Sequence, residues 1–141
     1  MGVIFSLLAG LMITLQSIFN ARLGEKLSFW HTNAFVHGSG LIVAFIILLF
    51  NEKLNFTPIK AVNPHYLLGG AMGVVIIFSV MKGITDLGAS YAVTILIVTQ
   101  IIATAVINYF GVFGEPIIVF TGIKVFGLLL IVSGLLVYQL A

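Results

Sequence analysis

Gln16, Ser17 and Asn20, then Trp30, Asn33 and His37, then Thr94, Gln100, Thr104 and Asn108 are polar or aromatic residues set into apolar stretches of this 141-residue chain. They supply amides, hydroxyls, one indole and one imidazole, a set suited to holding a solute rather than breaking its bonds. The sequence contains no Ser-His-Asp set, no glycine-rich phosphate loop and no His or carboxylate pair at metal-ligand spacing. No catalytic residue, metal or cofactor is therefore assigned, and an enzyme is not expected. Cysteine is absent, which removes disulfide scaffolds and thiolate sites. His37 is the one titratable group near the middle of an apolar stretch. Imidazole exchanges a proton near neutral pH, so His37 is either a proton relay or a neutral ring held by a neighbouring helix.

The elements that carry these residues follow from composition. Hydrophobic residues make up 61% of the chain and charged residues 7%, against roughly 45–50% and 25% in soluble domains. Ten charges with a net of +2 cannot solvate so apolar a globule or track a phosphate backbone. Soluble enzymes, nucleic-acid binders and disordered chains are excluded together. Five apolar stretches, residues 2–20, 28–50, 65–82, 89–110 and 117–140, are each near the length needed to span, because a hydrocarbon core of about 30 Å takes about 20 helical residues. The fold class expected is an all-α membrane protein of five transmembrane helices, with residues 1–141 forming a single transmembrane domain. Asn63 with Pro64 is expected to open the third helix and Gly114-Glu115-Pro116 the fifth. The amino-terminal stretch is not read as a secretory signal, since Arg22 follows it and no basic residue precedes it.

At about 100° per residue, the polar residues gather into stripes. Gly2, Ser6, Gly10, Gln16, Ser17 and Asn20 share an arc of about 120° on the first helix. Trp30, Asn33, His37, Gly40 and Ala44 share about 80° on the second, and Ser90, Thr94, Gln100, Thr104 and Asn108 about 120° on the fourth. Small and amide residues of this kind either glue helices together or line a path. Counted from the expected helix ends, Gln16, Asn33 and Thr94 sit about 6–8 Å deep on one side, forming a layer that His37 and Gln100 continue inward. Such a layer is expected to be a polar vestibule. The fifth helix has no polar stripe, but Gly127 and Gly134 recur seven apart among leucines, a face suited to dimer packing.

Five spans place the chain ends on opposite sides. Lys53 and Lys60, with Lys124 reaching back from the fifth helix, then oppose Arg22, Lys26 and Lys82. Three against three leaves the positive-inside rule nothing to act on. Either the chain inserts both ways and pairs antiparallel with itself, or a partner sets its orientation.

LQSIFNARLG at 15–24, WHTNAFVHGSG at 30–40, PHYLLGGAMG at 64–73, VTQIIATAVINYFGVFGEP at 98–116 and GLLLIVSG at 127–134 together resemble the YdcZ-like branch of the drug/metabolite transporter superfamily. The resemblance covers nearly the whole chain. It implies half of a ten-helix inverted-repeat transporter in the inner membrane, multi-pass, with the substrate path among the first four helices and the last used for packing. Small multidrug exporters of that superfamily carry a proton- and drug-binding glutamate in the first helix, and YdcZ-like sequences often an acid where Asn108 stands. Both acids are missing here, which argues against proton-coupled cation export.

The reading drawn from the sequence is a dual-topology transporter that moves a small polar or amphiphilic solute by alternating access, as an antiparallel homodimer in contact with membrane lipid and no nucleic acid. Its expected substrate contacts are Gln16, Asn20, Trp30, Asn33, His37, Thr94, Gln100 and Asn108. A flippase for a lipid-linked substrate and a non-transporting assembly or regulatory subunit are the alternatives.

Overall fold

A computed structural model describes residues 1–140. Among these residues the helices long and apolar enough to cross a membrane are α1 (Gly2–Leu27), α2 (Phe29–Asn51), α3 (Gly69–Leu87), α4 (Ala89–Phe110) and α5 (Gly122–Leu140), and no strand is present. Short 3-10 turns at Thr57–Ala61 and Pro64–Leu68 lead into α3, and another at Val112–Gly114 follows α4. The protein is an all-α membrane protein.

The boundaries of α1, α3 and α5 differ from the sequence expectation, α3 running five residues past Lys82 to Leu87. Helix α1 runs seven residues past Asn20, because Ala21, Arg22, Leu23, Lys26 and Leu27 are all good helix formers and Arg22 pairs with Glu25 at 3.1 Å one turn on. The charges there do not mark the helix end. At the fifth helix, Gly114-Glu115-Pro116 does not form the start. Residues 115–121 are non-helical and α5 begins at Gly122. The Thr121 hydroxyl accepts from the Lys124 N–H at 3.4 Å and the Thr121 carbonyl from the Val125 N–H at 3.1 Å. Thr121 thus occupies the cap position that the sequence reading gave to the Gly-Glu-Pro run. Asn63 precedes a 3-10 turn opened by Pro64, and its side chain makes no capping bond.

The chain packs as two units, residues 1–86 and residues from 87 onward. In the first, α1 and α2 form an antiparallel hairpin around a single residue, Ser28 (φ 75°, ψ 153°). The same conformation recurs at Gly88 (φ 83°, ψ 157°), the single residue between α3 and α4. Glycine adopts it without cost, whereas an L residue there is strained by about 1–3 kcal/mol. The core of the first unit lies near the Ser28 end. Ala21, Met81 and Ile84 are buried there with Asn20, Thr32 and Asn33. Gly24 permits the close approach, since a Cβ on it would lie 2.6 Å from the Phe29 ring. Phe29 meets Phe78 edge-on at 6.0 Å, and Trp30 stacks on the same ring at 4.5 Å. Aromatic pairs of this kind contribute about 0.5–1.5 kcal/mol each. They matter in a membrane, where lipid removes the hydrophobic drive between helices and leaves packing and hydrogen bonds.

In the second unit, α4 ends at Gly111 in the left-handed conformation, and the following segment folds back so that the Ile118 N–H donates to the Asn108 carbonyl at 3.0 Å. Tyr109 meets Phe120 across this turn, and α5 then packs along α4.

Candidate functional site

Equal steps from Ser28 give the register of the first hairpin. Gln16 and Gly40 lie twelve residues to either side of it, Asn20 and Val36 eight. Both pairs line one open groove of about 500 Å³ along the hairpin, with Ser39, Val43, Ala44 and Ile47 completing its α2 wall. The groove exists because Gly40 and Ala44 leave no side-chain bulk opposite the α1 amides. Gln16 is exposed and Asn20 is buried at 7% exposure, and neither amide hydrogen-bonds another group among the described residues. Counted from Leu27, Gln16 lies about 16 Å along α1. Counted from Arg22, where the charged residues begin, Gln16 lies about 9 Å along α1, and Asn33 and Thr94 lie about 6–8 Å from their own helix starts.

The α2 stripe serves two depressions. Gly40 and Ala44 face the groove just described, while Trp30, Asn33, Ala34 and His37 line a smaller cleft of about 250 Å³ with Val74 of α3. There the Asn33 Nδ2 donates to the Val74 carbonyl at 2.7 Å. The buried Asn33 Oδ1 and the neighbouring Thr32 hydroxyl have no partner among the described residues. His37 Nδ1 lies 3.0 Å from the Asn33 carbonyl. A carbonyl can only accept, so Nδ1 carries the proton and, in the neutral ring, Nε2 bears the lone pair. The Nε2 edge faces Gly73, where a Cβ would lie 3.1 Å away. Asn33 thus acts as interhelical glue through one atom and offers an acceptor through the other.

The remaining expected contacts belong to α4 in the second unit. Thr94 is buried and its hydroxyl turns back to the Ser90 carbonyl at 2.9 Å. Gln100 is exposed and Asn108 half-buried. A Cβ at Gly127 or Gly134 would meet nothing within 4 Å among the described residues.

Sequence reasoning missed Val36, Ser39, Val43 and Ile47 as groove residues. The equal-step register about a one-residue turn would have found them, had Ser28 been read as the turn. Chemically, the groove can exchange hydrogen bonds with an uncharged polar group, and no side chain lining it is ionisable.

A family model described as "Putative inner membrane exporter, YdcZ", of the drug/metabolite transporter type, matches residues 1–137. The chain belongs to the YdcZ family. It is accordingly a multi-pass inner-membrane protein of a transporter family, and the five helices described above are its spans. No curated protein and no solved structure matches this YdcZ-family chain.

Proposed function

We propose that this YdcZ-family protein moves a small polar or amphiphilic solute, neutral or zwitterionic, across the inner membrane by alternating access, as an antiparallel homodimer of ten helices. The observation that carries the reading is the groove between α1 and α2, where two amides without hydrogen-bond partners among the described residues, Gln16 and Asn20, stand across from Gly40 and Val36. Its volume of about 500 Å³ falls in the range that holds small ligands. An amide in lipid gains hydrogen bonds either from a neighbouring helix or from a passing solute, and here the first source is absent for Gln16 and Asn20 among the described residues. Apolar walls at Val36, Val43 and Ile47 suit a solute with one hydrogen-bonding end and an apolar body.

Asn20 and Gln16 contact the solute first, with Trp30, Asn33 and His37 of the same unit as further contacts. Antiparallel pairing rests on the equal division of basic residues between the two membrane sides, and an odd helix count makes the two halves inverted repeats. Gly127 and Gly134 give α5 a face on which a second copy can pack closely.

Thermal stabilisation of the purified protein by a panel of metabolites tests this reading. A stabilising polar solute whose effect disappears in Gln16→Leu supports it. Stabilisation by lipids alone would favour a flippase instead, and a solute whose effect survives Gln16→Leu and Asn20→Leu would exclude the groove.

A further inference from the structure

We propose that residues 53–62, the segment between α2 and α3 that contains the first 3-10 turn, Thr57–Ala61, form a docking surface for the anionic lipid headgroups of the leaflet at which α2 ends. A 3-10 helix turns once every three residues, so side chains three apart stand above one another. Around Thr57–Ala61 the backbone follows that period, with the Ile59 N–H on the Phe56 carbonyl at 3.1 Å and the Val62 N–H on the Ile59 carbonyl at 3.3 Å. Phe56, Ile59 and Val62, linked by those two bonds, therefore form one apolar edge, and Thr57 and Lys60 form the next. The Thr57 N–H donates to the Asn55 side chain at 3.0 Å and Pro58 sits in the first turn, which together set where the turn begins.

The apolar edge has no cover within the protomer. Phe56 is 62% exposed and Ile59 48%, and Leu54 beside them 51%. Water is an unfavourable neighbour for three such side chains in a row. Connectivity supplies the alternative. Helix α2 ends at Asn51 and the next membrane-spanning segment starts at Pro64, so the intervening residues are tethered at both ends to one membrane surface. Amphipathic segments held there lie with the apolar edge among the upper acyl chains. Lys53 and Lys60 are exposed and have no ion pair among the described residues, while the one acid nearby is Glu52. Two free lysines flanking an apolar edge complement an anionic headgroup layer. This fits a lipid surface better than a second protein copy, whose interface core would be depleted of charge.

The experiment uses the full chain in nanodiscs, with Trp30→Phe removing the native tryptophan and Phe56→Trp placing a single probe on the apolar edge. A parallel Thr57→Trp probe reports the polar edge. Discs are made from phosphatidylcholine alone or with phosphatidylglycerol, each with and without brominated acyl chains. Phe56→Trp should emit at shorter wavelength than Thr57→Trp in discs containing phosphatidylglycerol, be quenched by bromolipid and resist acrylamide. Adding Lys53→Gln and Lys60→Gln should reduce its ratio of lipid-inserted to water-exposed emission by on the order of tenfold in those discs. Equal access of acrylamide to both probes would overturn the proposal. So would a Phe56→Trp probe shielded from acrylamide and bromolipid alike, which would mean that protein covers the edge. Insertion that ignores headgroup charge and both lysines would overturn the anionic assignment.

Discussion

Asn33 and Val74 are joined across two helices by a side-chain amide donating to a main-chain carbonyl at 2.7 Å, while the other atom of the same amide is buried without a partner. The two halves of this amide oppose each other energetically. A side-chain hydrogen bond between membrane helices contributes about 0.6–1.7 kcal/mol, and a buried unsatisfied acceptor costs about 1–3 kcal/mol. Asn33→Leu removes both, so its thermal stability should stay within about 1 kcal/mol of wild type, whereas solute transport should fall. A loss beyond about 2 kcal/mol with transport otherwise intact would make Asn33 a purely structural residue.

Ser28 holds a backbone conformation that Gly88 adopts at the corresponding turn. Its hydroxyl bonds His31 Nδ1 at 2.8 Å on an exposed surface, a contact too weak to offset the strain. Ser28→Gly should therefore raise stability by about 1 kcal/mol, read as a higher unfolding temperature in detergent. A lower temperature would mean that the hydroxyl, and not the backbone, decides this turn.

The spans were legible in the sequence because the bilayer imposes a length on apolar runs, and the stripe logic put Gln16 with Asn20 on one helix face and Gly40 on another without saying that the two faces meet. What escaped were features set by neighbours. A helical wheel gives Asn33 and His37 an angle close to that of Gly40, yet α3 claims the first two and α1 the third. Nothing in the α2 sequence states which helix lies on which side. The end of α1 escaped because Arg22, Glu25 and Lys26 read as a boundary, although charged residues continue a helix readily. The start of α5 escaped because Pro116 resembles a first-turn proline, while the hydroxyl that caps the helix is five residues on, at Thr121.

A Cβ at Gly127 or Gly134 meets nothing within 4 Å among the described residues, so leucine is tolerated there within one protomer. Gly127→Leu with Gly134→Leu should leave unfolding cooperative but convert dimer to monomer in mild detergent, as read by light scattering. An unchanged dimer would move the interface to another helix.

Orientation should be balanced and easily tipped. Lys124 reaches back along its helix, its Nζ donating to the Val119 carbonyl at 3.2 Å, which sets its charge beyond the start of α5. Paired reporters fused to the carboxyl terminus, one active on each side of the membrane, should both give signal. Two or three lysines added to residues 51–64 should silence one of them. Signal from a single reporter in the wild type would contradict dual topology.

Uptake of a stabilising solute into proteoliposomes, by wild type and by the Gln16→Leu, Asn20→Leu double variant, with and without a pH gradient of about two units, tests the transport account most directly. The acids Glu25, Glu52, Asp86 and Glu115 all lie at helix ends or between helices, leaving His37 as the one titratable group deep in a span among the described residues. The account predicts wild-type flux that is the same with and without the gradient and at least about tenfold lower in the double variant, the loss expected when about 1.4 kcal/mol of solute contact is removed. Flux unchanged in the double variant, or gradient-driven accumulation that survives His37→Gln, would contradict it.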